Sequence, residues 1–137
     1  MRKVSIISLL VLSVLLISGC DSSGGASITG DVTYFQRIAL PDDAIVTVQL
    51  RDVSRMDVAA DVLGEQVIVT DGKQVPFPYD VEYDSNDIIN NHTYSMSARI
   101  TDSQGNLLFI SDTVNPVITN GNPTSDVEIV TVPVGGA

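Results

Sequence analysis

Val46-Thr47-Val48-Gln49-Leu50-Arg51 decides the fold: apolar side chains occupy every second position and polar ones fill the gaps. A segment with period two lays one face on a core and leaves the other in water, as a half-buried strand does. The same alternation recurs on both sides of it. Upstream, Ile28, Gly30, Val32 and Tyr34 share one face opposite Thr29, Asp31 and Thr33, and Pro41-Asp42-Asp43 supplies a turn between the two runs. Downstream, Tyr94, Met96, Ala98 and Ile100 alternate with Ser95, Ser97, Arg99 and Thr101, and Ser103 to Asn106 closes a hairpin into Leu107 to Thr113.

The remaining segments carry weaker patterns. Asp52 to Leu63 is irregular and reads as a short helix or a strand ending in a loop. Gln66 to Thr70 is a strand, Asp71-Gly72 a hairpin signal, and Val75-Pro76-Phe77-Pro78 the return, after which Tyr79, Val81 and Tyr83 face inward. Two prolines two residues apart remove ladder donors on one side, so Val75 to Tyr83 is expected at a sheet edge, where Val75, Phe77 and Tyr79 form a candidate partner-binding rail. Asp84 to Asn91 reads as a long turn or one helical turn. Val117 to Thr119, a turn at Asn120-Gly121 and Val127 to Val132 complete the set. Seven or eight short strands, no long helix and no internal repeat predict an all-β chain. The economical architecture is a small antiparallel β-sandwich, Ig-like or Greek-key.

The N-terminus has a different logic. Arg2 and Lys3 precede an apolar run from Val4 to Ile17 interrupted only by Ser5, Ser8 and Ser13, and Ile17-Ser18-Gly19-Cys20 follows. The run suits a signal-peptide core and is short for a membrane-spanning helix, which needs about 20 residues. Ile17, Ser18 and Gly19 form a lipobox for a lipoprotein signal peptidase, and Cys20 becomes the lipidated first residue of the mature protein. The expected organisation is therefore a signal peptide (residues 1–19), a lipidated flexible tether (20–27, Gly- and Ser-rich), a folded domain (28–133) and a short tail (134–137). Two or three acyl chains hold such a domain on a bilayer durably, at about 0.8 kcal/mol per buried CH₂. Cys20 is an anchor, with no redox role and no disulfide partner in the chain.

Cleavage removes Arg2 and Lys3, which makes the formal net charge of −10 more negative by two. A field of that sign repels phosphate backbones, so nucleic acid is excluded as a partner; it keeps an exported domain soluble and suits a basic partner. Catalytic chemistry is poorly provisioned. His92 is the one histidine, no Gly-x-Ser-x-Gly turn presents a nucleophile, and Cys20 is consumed by lipid, so no enzyme activity, metal site or cofactor is expected. Asp80, Glu82, Asp84 and Asn86 alternate like the first ligands of a calcium loop. Ser85 and Asn91 stand where that loop needs Gly and Glu, and in a strand the same spacing places the acids on the wet face.

Ile28 to Tyr34 (ITGDVTY), Arg37 to Pro41 (RIALP) and Ala44 to Ser54 (AIVTVQLRDVS) together resemble the YbaY-type lipoprotein family, related to YscW-like lipoprotein chaperones, or pilotins, of type III secretion. Val75 to Tyr79 (VPFPY), Tyr94 to Ile100 (YSMSARI) and Gly105 to Asp112 (GNLLFISD) continue the likeness as far as about Pro133. The resemblance implies a β-sandwich lipoprotein of the cell envelope, facing the periplasm, with no signature catalytic residues. In the pilotin branch it also implies binding the tail of a secretin subunit and bringing it to the outer membrane. Asp21, the residue after the anchor, is a sorting position: in enteric bacteria an aspartate there favours the inner membrane, but the rule differs among bacteria and Ser22 follows it here, so inner and outer membrane both stay open. The function expected is a membrane-anchored, non-enzymatic protein-binding or chaperone-like module. The alternative is an envelope-maintenance lipoprotein that binds glycan or polysaccharide.

Overall fold

Eight strands join into one sheet in a computed structural model of the protein, which describes residues 24–135. In chain order they are β1 (Gly25–Thr33), β2 (Ile45–Asp52), β3 (Asp61–Val69), β4 (Phe77–Asp84), β5 (Tyr94–Thr101), β6 (Leu107–Ser111), β7 (Pro116–Val117) and β8 (Val127–Pro133), with a 3₁₀ turn at Ser85–Asp87 after β4. Across the sheet the order is β3-β2-β5-β6-β8-β1-β4, and β7 pairs with β5 off that path. The all-β expectation and the strand number hold.

The expected sandwich does not. The sheet curls into a nearly closed barrel, because β8 serves both halves of it. Val127 to Val130 run parallel to Gly30–Thr33 of β1, and Thr131 to Pro133 then run antiparallel to Phe109–Ser111 of β6. At the changeover the buried Thr131 donates its hydroxyl to the Thr33 carbonyl at 3.1 Å. The shared strand makes the sheet continuous, and curling brings its far ends, β3 and β4, together. There the Asp80 amide donates to Gln66 Oε1 at 2.8 Å, and Gly64 lies so close to the Glu82 carbonyl that a Cβ would collide with it.

Alternation explains the interior. Val46, Val48 and Leu50 on β2, Met96, Ala98 and Ile100 on β5, Ile28 and Val32 on β1, Val81 on β4 and Ile129 on β8 are buried at alternate positions. Each Val, Leu, Ile or Met side chain among them is stabilised by roughly 1.5–3 kcal/mol on burial. Tyr34 stacks on Phe109 with ring centroids 4.2 Å apart and closes one end of the core.

Three local expectations are corrected. β1 begins at Gly25, so three residues assigned to the tether are strand, paired with Asp84, Tyr83 and Glu82. β3 begins at Asp61, five residues before the alternation shows it, because the pairing with β2 shifts between Leu50 and Arg51 and reverses the parity there. Asp71-Gly72 does form a tight turn, both residues at positive φ (54° and 81°), but the strand after it pairs with β1 and not back on β3. The chain crosses the end of the barrel instead.

Candidate functional site

A strand exposes backbone hydrogen-bonding groups only where no neighbour covers them, and those groups are the template for pairing with another chain. The amide of Ser85, just past β4, donates to the Gly24 carbonyl, whereas that of Asp80 turns the other way, toward Gln66. Successive amides of a strand alternate in direction. The missing donor of Pro78 therefore points away from β1, where its loss costs no ladder bond, as the two-proline spacing predicts. That outer edge of β4 is not open: β3 abuts it through Gln66 and Gly64.

The expected rail is also wrong in its side chains. Phe77 and Tyr79 are 4% and 3% exposed and belong to the core, with Val75 packed against it. Tyr79 donates its hydroxyl to the Val127 carbonyl at 2.6 Å, tying β4 to the start of β8. Burial, with the Asp31 charge in addition, pushes its phenol far above the ordinary tyrosine range. Phe77 and Tyr79 pack inside the barrel and tie it together.

The free edge lies one strand away. β8 meets β1 only from Gly30 onward, and Thr124 accepts from the Thr29 amide at 3.1 Å. Thr29, Ser27 and Gly25 share a direction, so the amides and carbonyls of Gly25 and Ser27 face away from β4 with no strand beside them among the described residues. An open cleft of about 550 Å³ adjoins this edge, lined by Gly25, Ala26, Ser27, Asp80, Glu82, Tyr83 and Asp84. The small residues of β1 give it depth, and the alternation that buries Tyr79 and Val81 turns Asp80, Glu82 and Asp84 outward along it. Asp84 also accepts from the Asn86 amide at 2.9 Å, capping the 3₁₀ turn at the cleft's lower end. Sequence reading placed the three acids on a wet face and missed the edge, because Gly25-Ala26-Ser27 carries no alternation to read.

His92, just before β5, is half-buried against a carboxylate. Its Nδ1 lies 2.6 Å from Asp52 Oδ2, and Asp52 Oδ1 accepts from the Ser54 hydroxyl at 2.6 Å. Burial alone would raise the Asp52 carboxyl, but hydrogen bonds from Ser54 and His92 outweigh it and hold it below the ordinary carboxylate range. The carboxylate sits between serine and histidine. A hydrolase triad needs histidine in the middle to take the serine proton, so the cluster is a clasp joining the end of β2 to the segment before β5. Among the described residues no group of His, Cys, Asp and Glu is arranged to hold a metal, and no helix is long and apolar enough to cross a membrane. Ile17, Ser18, Gly19, Cys20 and Asp21 lie outside the described residues.

Three comparisons bear on this geometry. The profile described as "Type III secretion system lipoprotein chaperone (YscW)" matches residues 23–129. The uncharacterized lipoprotein YbaY of Escherichia coli (strain K12) is 39% identical over 106 residues, which make up 77% of this chain and 55% of that protein; the chain thus spans about half the length of this relative. An alternative pilotin from the type II secretion system of Vibrio cholerae is 46% identical and superposes with a TM-score of 0.77, over 82% of this chain and 99% of that one. The glycan-binding alternative finds no support in these relatives.

Proposed function

The chain belongs to the YscW family of secretion-system lipoprotein chaperones, and on that premise we propose that it is a lipid-anchored, non-enzymatic chaperone of the bacterial cell envelope that holds a segment of a secretion-system subunit. The observation that carries the reading is the 46% identity to a pilotin over nearly that protein's whole length. Cys20 is the anchor through a thioether on its side chain, cleavage between Gly19 and Cys20 after the Ile17-Ser18-Gly19 recognition residues makes it the first residue, and Asp21 is the residue that sorting reads.

The segment is held by strand addition on Gly25 and Ser27, where main-chain groups supply the affinity. The Asp80, Glu82 and Asp84 row beside them selects a segment carrying Lys or Arg, and a secretin-type subunit is the candidate owner of it. Backbone pairing tolerates varied sequence, as a chaperone requires. The same placement brings the bound segment near the membrane, since only four residues separate Cys20 from β1 and an extended residue spans at most about 3.6 Å.

A photoreactive amino acid at Ser27 in cells, with the same residue at Lys73 on the opposite end of the barrel as control, tests the reading. Crosslinks from Ser27 to a secretion-system subunit, lost in Asp80→Asn/Glu82→Gln, support it. Equal crosslinking from both positions overturns the placement.

A further inference from the structure

The outer wall of the barrel opposite the cleft has the reverse chemistry. Register places Val67, Thr47, Arg99, Ile110 and Val132 side by side across β3, β2, β5, β6 and β8. Val69, Ile45, Thr101 and Leu107 form the next row. Val67, Val69, Leu107 and Ile110 are exposed although large and apolar, at 55%, 67%, 37% and 40%. Below them a groove of about 100 Å³ is lined in part by Thr47, Arg51, Ser97, Arg99 and Ile110.

The polar groups of this groove are short of partners. Arg51 and Arg99, two of the seven basic residues in a chain with seventeen acidic ones, form no ion pair among the described residues. The Nε of Arg51 is buried with no hydrogen-bond partner, leaving a desolvated donor unsatisfied. The one carboxylate pairing by register with this face, Glu65, is occupied by Gln49 at 2.6 Å. An apolar sheet face beside two unpaired guanidiniums complements a segment with an apolar stripe and a carboxylate, as a guanidinium fork matches a carboxylate in shape and charge.

We propose that this wall is a second docking surface, for an acidic amphipathic helix of a protein partner, whose carboxylate enters the groove between Arg51 and Arg99 while its apolar side chains cover Val67, Val69 and Ile110. It is distinct in place and charge from the Gly25–Ser27 edge and does not depend on it.

The test is a titration of the isotope-labelled chain carrying Cys20→Ala, produced without its signal peptide, and observed by NMR at the Arg51 Nε–H and the methyls of Val67 and Ile110. The probe is a fifteen-residue, end-capped peptide with Leu at i, i+3, i+4 and i+7 and Glu between; its Lys counterpart and inorganic phosphate are the comparison arms. Saturable shifts with the Glu peptide alone are expected, weakened about tenfold in Arg51→Gln/Arg99→Gln, whose fold is checked by its unchanged core methyl signals. Asp80→Asn/Glu82→Gln should leave them unchanged. Equal response to the Lys peptide, saturation by phosphate alone, concentration-dependent shifts of the protein by itself that mark self-association, or shifts that persist in the double Arg variant would each overturn the proposal.

Discussion

At the scale of residues, Gly30 is set by space and Asp52 by charge. Gly30 on β1 faces the backbone of Val127 so closely that any Cβ would strike the Val127 carbonyl. The collision is with main chain, which has no rotamer to yield. Gly30→Ala is expected to cost upwards of about 3 kcal/mol, read as a drop in the urea midpoint or as failure to accumulate folded protein; a loss under about 1 kcal/mol would show that β1 and β8 are not so close. The clasp of Asp52, His92 and Ser54 makes a prediction in pH. Because the folded Asp52 carboxyl lies below the ordinary range, the folded state binds a proton there less readily than the unfolded one. Its contribution is complete above the unfolded value of about 3.9 and is lost as pH falls through the lower folded value. Urea unfolding across that acid window should show a shallower fall in stability for Asp52→Asn than for the parent, and identical slopes would remove the clasp from the account. Tyr79 and Phe77 belong at this scale too. Tyr79→Phe, which leaves the Val127 carbonyl without its donor, should cost about 1–2 kcal/mol by thermal or urea unfolding while leaving partner capture intact once folded.

Elements were legible in the sequence wherever both faces were written in side chains. β2 and β5 alternate without a break, and their cores, Val46 to Leu50 and Tyr94 to Ile100, were readable residue by residue. β3 was read too short because an extra residue opposite Leu50–Arg51 moves Val62 to the wet face and leaves Val67 and Val69 there as well, so apolar character no longer means inside. β1 was read late because Gly25-Ala26-Ser27 has almost no side chain to pattern; its strand state comes from pairing with Glu82 to Asp84. That same lack of bulk makes the cleft. Ser27→Val should therefore fold normally and narrow the cleft, weakening in-cell crosslinking to the bound segment several-fold, whereas Ser22→Val, in the expected tether, should do nothing. An unaltered capture by Ser27→Val would move the site elsewhere.

The closure of the molecule was beyond the sequence. Alternation tells which way side chains point but not which strand lies beside which, and barrel against sandwich turns on β8 changing partner at Thr131 and on Gln66 reaching Asp80. The consequence for function is a wall with two chemistries: carboxylates around the edge of β1 and unpaired arginines across β2 and β5. The expected lipobox and the family likeness, by contrast, stand in the sequence alone, and with them the expectation of an anchored chaperone. The measurement that tests that expectation most directly is recovery of the lipidated protein from separated inner and outer membranes after in-cell crosslinking, beside Cys20→Ala. The account predicts outer-membrane recovery together with a secretin-type subunit, and a subunit that no longer reaches that membrane when Cys20 is replaced. Recovery from the inner membrane without a protein partner, or a subunit whose location ignores Cys20, would contradict it.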